Sequence, residues 1–195
     1  MKKSLQDDQW AELIKRAKRL EPEAFDALLD AYSKPLYGYF YRVTGSRQDA
    51  EDLLQETFVR VVRSIDRYQD DGRFEAWIYR IAGNLVRDRL RKKNSTPPTK
   101  QAFASADADE GADSLSRFPD RNENDPAENS SRNEQTDRLQ IALDRLPEHE
   151  REAICLRHFS QMSFQQIAEL MEAPLGTVLA RAHRGLKRLR ELMEE

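Results

Sequence analysis

Residues 95–137 set the first limit on what this chain can fold into. They read "STPPTKQAFASADADEGADSLSRFPDRNENDPAENSSRNEQTD", rich in Ser, Asn, Asp, Pro and Ala. Phe103, Leu115 and Phe118 are the only bulky apolar groups in the stretch. Such a segment cannot bury enough apolar surface to offset chain entropy, so it is expected to be a disordered acidic linker. Its three bulky groups read either as incidental linker residues or as a docking motif. A chain of 195 residues interrupted in this way must build two small cores, one in residues 1–94 and one in residues 138–195.

Both flanks carry helical periodicity. Trp10, Leu13, Ile14, Ala17 and Leu20 follow the 3,4 spacing of an amphipathic helix. After Pro22, a residue suited to a helix start, Phe25, Leu28, Leu29, Tyr32, Leu36, Tyr39 and Phe40 continue the pattern. In the next segment Leu54, Phe58, Val61, Val62 and Ile65 line one face, with Ser46 or Asp49 able to cap it. A polar loop, "DRYQDDGR", leads into "FEAWIYRIAGNLVRDRLRKK", whose Trp77, Ile78, Ile81, Leu85 and Val86 point inward. Beyond the linker, Leu139, Ala142, Leu143 and Leu146 form a helix that Pro147 ends and restarts. Ser163 and Gln166 make a capping box opening a short helix with Ile167, Ala168 and Leu170. Residues 171–174 then separate it from a last, basic helix. No alternating β pattern is present, so the fold class is all-α: two helical domains joined by the linker.

The charge is distributed unevenly. Residues 1–94 hold 19 basic and 16 acidic side chains, residues 95–137 hold 4 and 10, and residues 138–195 hold 9 and 9. The acidic middle thus masks two basic clusters. In the last helix Leu175, Val178, Ala182, Leu186, Leu189 and Met193 share one side at 100° per residue. Thr177, Ala180, Arg181, Arg184, Lys187 and Arg188 share the other. The charge alone reads equally as a solvated face. Two short helices joined by a tight turn, the second basic and free of acids before Glu191, read as a helix-turn-helix whose second helix enters a DNA groove. The other cluster, Arg80, Arg87, Arg89, Arg91, Lys92 and Lys93, is opposed locally only by Asp88. It lies beside Trp77, Tyr79 and Asn84 and follows the loop bearing Tyr68. Rings that stack, an amide and phosphate-binding cations together suit unstacked bases, although Trp77 also reads as core.

Other chemistry finds little support. His149, His158 and His183 lie apart, and "HERE" at 149–152 lacks the second histidine of a zinc-protease motif. There is no phosphate-binding loop and no dinucleotide fingerprint, so neither an enzyme nor a cofactor or metal requirement is expected. Cys155, the only cysteine, sits in an apolar helix and reads as packing rather than a redox switch. No apolar run approaches a membrane span, and MKKSLQDDQW is not followed by the apolar run of a signal peptide. The expected location is cytoplasmic, without membrane insertion.

Three segments resemble the extracytoplasmic-function (ECF) sigma factors, the group 4 relatives of sigma-70. "DAEDLLQETFVRVV" at 49–62 is similar to the family's region 2.2, and "FEAWIYRIAGNLVRDRLRKK" at 74–93 to its regions 2.3 and 2.4. "LPEHEREAICLRHFSQMSFQQIAELMEAPLGTVLARAHRGLKRLRELM" at 146–193 is similar to region 4. The resemblance implies a promoter-specificity subunit of RNA polymerase. Asp49, Asp52, Gln55 and Glu56 would meet the clamp helices of the β′ subunit; without the resemblance they are a solvated face. Tyr68 and Asn84 would read a flipped base of the −10 element, with Arg80, Arg87 and Arg91 on the nearby strand. Thr177, Leu179, Ala180, Arg181, Arg184, Lys187 and Arg188 would address the −35 element, with the β flap and an anti-sigma factor as further implied partners. An ordinary DNA-binding regulator is the competing reading, and it needs neither the 49–62 helix nor the aromatic, basic one.

Three positions depart from the family pattern. Leu179 and Ala180 stand where a basic and a polar residue are usual, which removes hydrogen bonding to bases and leaves at most contact with a thymine methyl. Glu172 stands where the turn usually carries glycine. A non-glycine residue is disfavoured at positive φ, so a reshaped turn is expected.

Overall fold

The computed structural model describes residues 7–69, 72–95 and 126–194. Most of the expected linker, with Phe103, Leu115 and Phe118, lies outside the described residues. The described residues form helices α1 (Asp7–Lys18), α2 (Pro22–Thr44), α3 (Arg47–Ser64), α4 (Phe74–Ser95), α5 (Pro126–Asp144), α6 (Glu148–His158), α7 (Phe164–Leu170) and α8 (Leu175–Glu194). A 3-10 turn at Ile65–Arg67 follows α3. Among the described residues there is no strand, as the all-α reading requires. Helix α5 starts earlier than the sequence indicates, so residues 126–137, expected to be linker, are helical. Pro126 suits a first helical position, and Ala127, Glu128, Glu134 and Gln135 favour helix without needing an apolar face.

The first unit is built around α2, which packs on α1, α3 and α4. Gly45, at φ 69, ends α2 with its N–H on the Tyr41 carbonyl at 2.8 Å. Ser46 then caps α3, accepting from the Asp49 N–H at 3.2 Å. The buried side of α3 is Ala50, Leu53, Thr57 and Val61. It differs from the expected one: Leu54 and Phe58 are only half-buried and Val62 is 44% exposed. Small residues at Ala50 and Thr57 let α3 approach its neighbours, a factor that apolar periodicity does not register. The Thr57 hydroxyl, fully buried, donates to the Leu53 carbonyl at 2.7 Å.

In the second unit α6 and α8 cross at Gly185, where a Cβ would come within 2.6 Å of Ile154 Cδ1. The capping box forms as the sequence indicates: Ser163 Oγ accepts from the Gln166 N–H, and Gln166 Oε1 from the Ser163 N–H. Glu172 adopts φ 50, so the turn keeps its left-handed residue and is not reshaped. The strain of a side chain there is accepted, and α7 and α8 still pack on each other.

The two units are not separate in space. One hydrophobic cluster runs through both, joining Tyr39, Phe40, Tyr79 and Val86 to Leu156, Met162, Ile167 and Leu170. Helix α2 packs on α5 and α6, and α4 on α7, where Leu170 Cδ2 lies 2.9 Å from the position a Cβ would take at Gly83. The Arg42 guanidinium covers the Phe159 ring at 4.2 Å. Gln140 Nε2 donates to the Arg42 carbonyl at 3.4 Å.

Replacing Glu172 by Gly is expected to raise stability by up to about 1 kcal/mol, the relieved left-handed strain being partly offset by glycine's extra unfolded-state entropy. Glu172→Val is expected to lower it by about 1–2 kcal/mol, because a β-branched residue suits that φ least. Denaturant titration of the three proteins measures both changes.

Candidate nucleic-acid interface

Helix α4 buries Ile78, Tyr79, Ala82, Leu85 and Val86, and so turns Arg80 and Asn84 outward, both exposed. Arg87, one turn beyond Asn84, is half-buried and donates from Nη2 to Asn84 Oδ1. Its Nη1 reaches Glu152 Oε1 of α6, in the other unit, at 3.3 Å. Arg91 is paired with Asp88 of its own helix. Tyr68 departs from its expected place in a free loop. It is 6% exposed, with its ring 5.4 Å from Phe74 and 5.0 Å from Trp77. The 3-10 turn folds that loop back, so three aromatic rings close one end of the first core. Tyr79 is also core, edge-on to Tyr39 at 5.8 Å. A groove of about 360 Å³ separates this end of the first unit from α7, with Arg67, Tyr68, Trp77 and Arg80 on one side and Gln166 and Leu170 on the other.

On α8 the buried side centres on Val178, Ala182 and Gly185. Leu175 and Leu186, expected inward, are 46% and 39% exposed. Gly185 lets α6 sit close on its side of the helix, which rotates the packed face away from these leucines. Leu179 is 43% exposed, while Thr177 and Ala180 are half-buried. Arg184 and Arg188 are both exposed, yet each is tied back to the domain. Arg184 Nε donates to Glu150 Oε1 at 3.2 Å, and Arg188 Nη1 to Glu150 Oε2 at 2.9 Å. Lys187 is exposed, whereas Arg181 is half-buried close to Glu152. The acids that neutralise α8 come from α6, a relation that a helical wheel of α8 alone does not contain.

A second groove, about 900 Å³ in volume, runs between α3 and α4. Asp49, Asp52, Gln55 and Glu56 line its α3 side, and Arg89, Lys92 and Lys93 its α4 side. Arg89 bridges the two helices, donating to Asp49 Oδ1 at 2.9 Å and Asp52 Oδ2 at 3.2 Å. Glu56 accepts from Arg60 Nε at 3.0 Å. The basic cluster of α4 is therefore matched by acids from α3, not by Asp88 alone.

Sequence reading missed Glu150 and Glu152. Both are buried, at 6% and 3% exposure. Nothing in Glu148-His149-Glu150-Arg151-Glu152 marked them, since acids near a helix N-terminus ordinarily suit its dipole and stay solvated. Burial pushes the Glu152 carboxyl up to about 7, against the opposing pull of Arg87 from α4 and Arg181 from α8. Glu148 adds to the upward push. Tyr39 of α2 lies close by, its hydroxyl raised well above the ordinary value by its own burial. The Cys155 thiol is fully buried and pushed up to about 12, which suits packing and not reactivity.

A helix-turn-helix with a cation-bearing second helix, packed against a helical unit with its own outward arginines, is the architecture of a two-unit DNA-binding protein. The Sigma-70 region 2 family model matches residues 28–96, and the Sigma-70, region 4 model matches residues 136–189. The ECF RNA polymerase sigma factor SigW of Bacillus subtilis is 32% identical over 182 residues, covering 93% of this chain and 95% of the relative. RNA polymerase sigma-H factor of Pseudomonas aeruginosa is 31% identical over 181 residues, covering 92% and 91%. Two solved structures share the fold with a TM-score of 0.65 and 23% identity: CnrH in complex with the cytosolic domain of CnrY, and the sigma factor RpoE in complex with the anti-sigma factor NepR from Bartonella quintana. The former match covers 93% of this chain and 95% of the other, the latter 87% and 96%. The chain belongs to the sigma-70 family as an ECF sigma factor that directs transcription initiation. Among the described residues no helix is long and apolar enough to cross a membrane.

The raised Glu152 carboxyl sets a pH dependence. Between about pH 4.5 and 7 the folded chain holds a proton there that the unfolded chain releases. Stability from this group is therefore greatest below that window and is lost as pH rises through it. Glu152→Gln is expected to flatten the slope by up to about 1.4 kcal/mol per pH unit. Denaturant titrations of both proteins across the window test this, and parallel slopes would contradict it.

Proposed function

We propose that this chain joins core RNA polymerase and carries it to promoters through two separate DNA-reading surfaces. Residues 1–94 act as region 2, and residues 138–195 as region 4. Asp49, Asp52, Gln55 and Glu56 meet the clamp helices of the β′ subunit along the groove between α3 and α4, and region 4 meets the β flap. Asn84, Arg80, Arg87 and Arg91 engage the −10 strand, with Tyr68 bracing the ring cluster behind them. Thr177, Leu179, Ala180, Arg181 and Lys187 meet the −35 duplex, joined by Arg184 and Arg188 once released from Glu150. The observation that carries this reading is the union in one chain of a helix-turn-helix with a second unit bearing both an acid-lined groove and an outward amide–arginine pair. A regulator acting without polymerase would need only the first.

Leu179 presents a methyl-bearing surface where hydrogen-bonding groups would read a base, so contact with a thymine methyl is the discrimination it can offer. The solved likenesses to CnrH with CnrY and to RpoE with NepR support an anti-sigma partner for this chain too. The working location is the cytoplasm, where the polymerase acts.

Adding the protein to core polymerase is expected to yield promoter-specific transcripts absent with core alone. Asn84→Ala is expected to slow promoter melting by roughly 5- to 150-fold, the range for losing one good base contact of about 1–3 kcal/mol. Binding to core should be unchanged. A fluorescent base analogue in the −10 element reads melting directly, and equal melting by both proteins would refute the role of Asn84.

A further inference from the structure

We propose that Glu150 is an internal competitor for the −35 duplex. Its carboxylate gives up Arg184 and Arg188 before they reach DNA, and so sets the affinity and salt dependence of region 4 in the holoenzyme. The inference rests on the assignment of Arg184 and Arg188 to the −35 element. It adds a buried residue of α6, off the recognition helix, to those that determine how tightly that element is held.

Both arginines are held by one side chain. Arg184 Nε donates to Oε1 at 3.2 Å and Arg188 Nη1 to Oε2 at 2.9 Å, so each carboxylate oxygen has its own guanidinium. The two ends of these pairs differ in environment. The arginine side chains are 56% and 50% exposed, whereas that of Glu150 is 8% exposed. An arginine that leaves for another anion therefore loses little, while the carboxylate cannot follow it into water. Glu150 is fixed in place by the close crossing of α6 and α8, its Cβ 3.1 Å from where a Cβ would stand at Gly185. A phosphate offers a guanidinium the same charge and acceptor geometry as a carboxylate, so DNA and Glu150 are alternatives for the same donors.

Two features keep the exchange reversible. The arginines can leave in turn: while one departs the other still pairs the carboxylate, and only the second departure strands a buried charge. Glu150 also lies in the first turn of α6, where the helix N-terminus favours a negative charge and offsets part of that cost. The consequence is a constant reduction of −35 affinity. Read from α8 alone, Arg184 and Arg188 are two full positive charges; with Glu150 between them the triad carries a single one.

The test uses the holoenzyme and a promoter from which it transcribes, with the −35 element intact or scrambled. Binding is measured across a salt series at a temperature that keeps the promoter duplex. Glu150→Gln preserves the size of the side chain and removes its charge. It is expected to tighten binding to the intact promoter roughly 2- to 30-fold, the worth of two half-exposed ion pairs. The slope of log affinity against log salt should steepen by about 0.9, the value for one further charge set against phosphate. In a chain that already carries Arg184→Ala and Arg188→Ala, the same substitution should leave affinity and slope nearly unchanged, because the carboxylate then holds neither arginine. A merely structural role for Glu150 would give weaker binding in both backgrounds. Far-ultraviolet dichroism checks that each variant is helical, and Glu150→Ala, which also removes the charge, replaces the glutamine variant if that one is not. Unchanged or weaker binding by the charge-free variant would overturn the proposal. An equal gain in the background lacking both arginines would also overturn it, as a general effect of net charge. If the wild-type holoenzyme binds intact and scrambled promoters alike and Arg184→Ala binds no more weakly, the −35 assignment itself fails, and the proposal with it.

Discussion

A carboxylate buried between two helical units governs the arrangement of this molecule. Glu152 is 3% exposed, and removing its charge from water is unfavourable unless partners surround it. Arg87 arrives from α4, and Arg181 lies nearby on α8. That requirement ties the three helices to one relative placement, while the apolar cluster from Tyr39 to Leu170 supplies the attraction between them. A buried ion pair adds little net stability but penalises any arrangement that leaves one member alone. It therefore selects a geometry more than it strengthens one.

The same logic recurs at each basic surface. Arg184 and Arg188 close on Glu150, Arg89 on Asp49 and Asp52, and Arg91 on Asp88. The chain meets its own cations with its own acids, most of them from a different helix. Several of these pairs are solvent-exposed at the arginine end, where an ion pair is weak and phosphate can compete for the guanidinium. The basic helices are thus held ready rather than left bare, which is compatible with a protein that must be soluble before it meets DNA.

Much of the fold was legible because it is written in local chemistry. Ser46, the Ser163–Gln166 capping box and Pro147 act within a few residues of themselves, and the helices begin where they indicate. The family resemblance likewise rested on contiguous segments and agrees with the comparisons. What could not be read was relative rotation and tertiary approach. The buried face of α8 is fixed by Gly185 against Ile154, and that of α3 by Ala50 and Thr57, none of which scores as strongly apolar. Tyr68 looked free because its loop is polar, yet Phe74 and Trp77 fold over it. Glu150 and Glu152 were illegible for the same reason: their partners lie 34 to 65 residues away in the chain.

The central claim is that the Glu152–Arg87 contact and the apolar cluster hold the two units in one placement in the free protein. Cys155 is buried and is the only natural cysteine, so spin labels can be placed at engineered cysteines replacing Asp30 on α2 and Lys187 on α8, both exposed. Pulsed electron resonance between them is expected to give one narrow distance distribution for the free chain. A broad distribution would contradict the account.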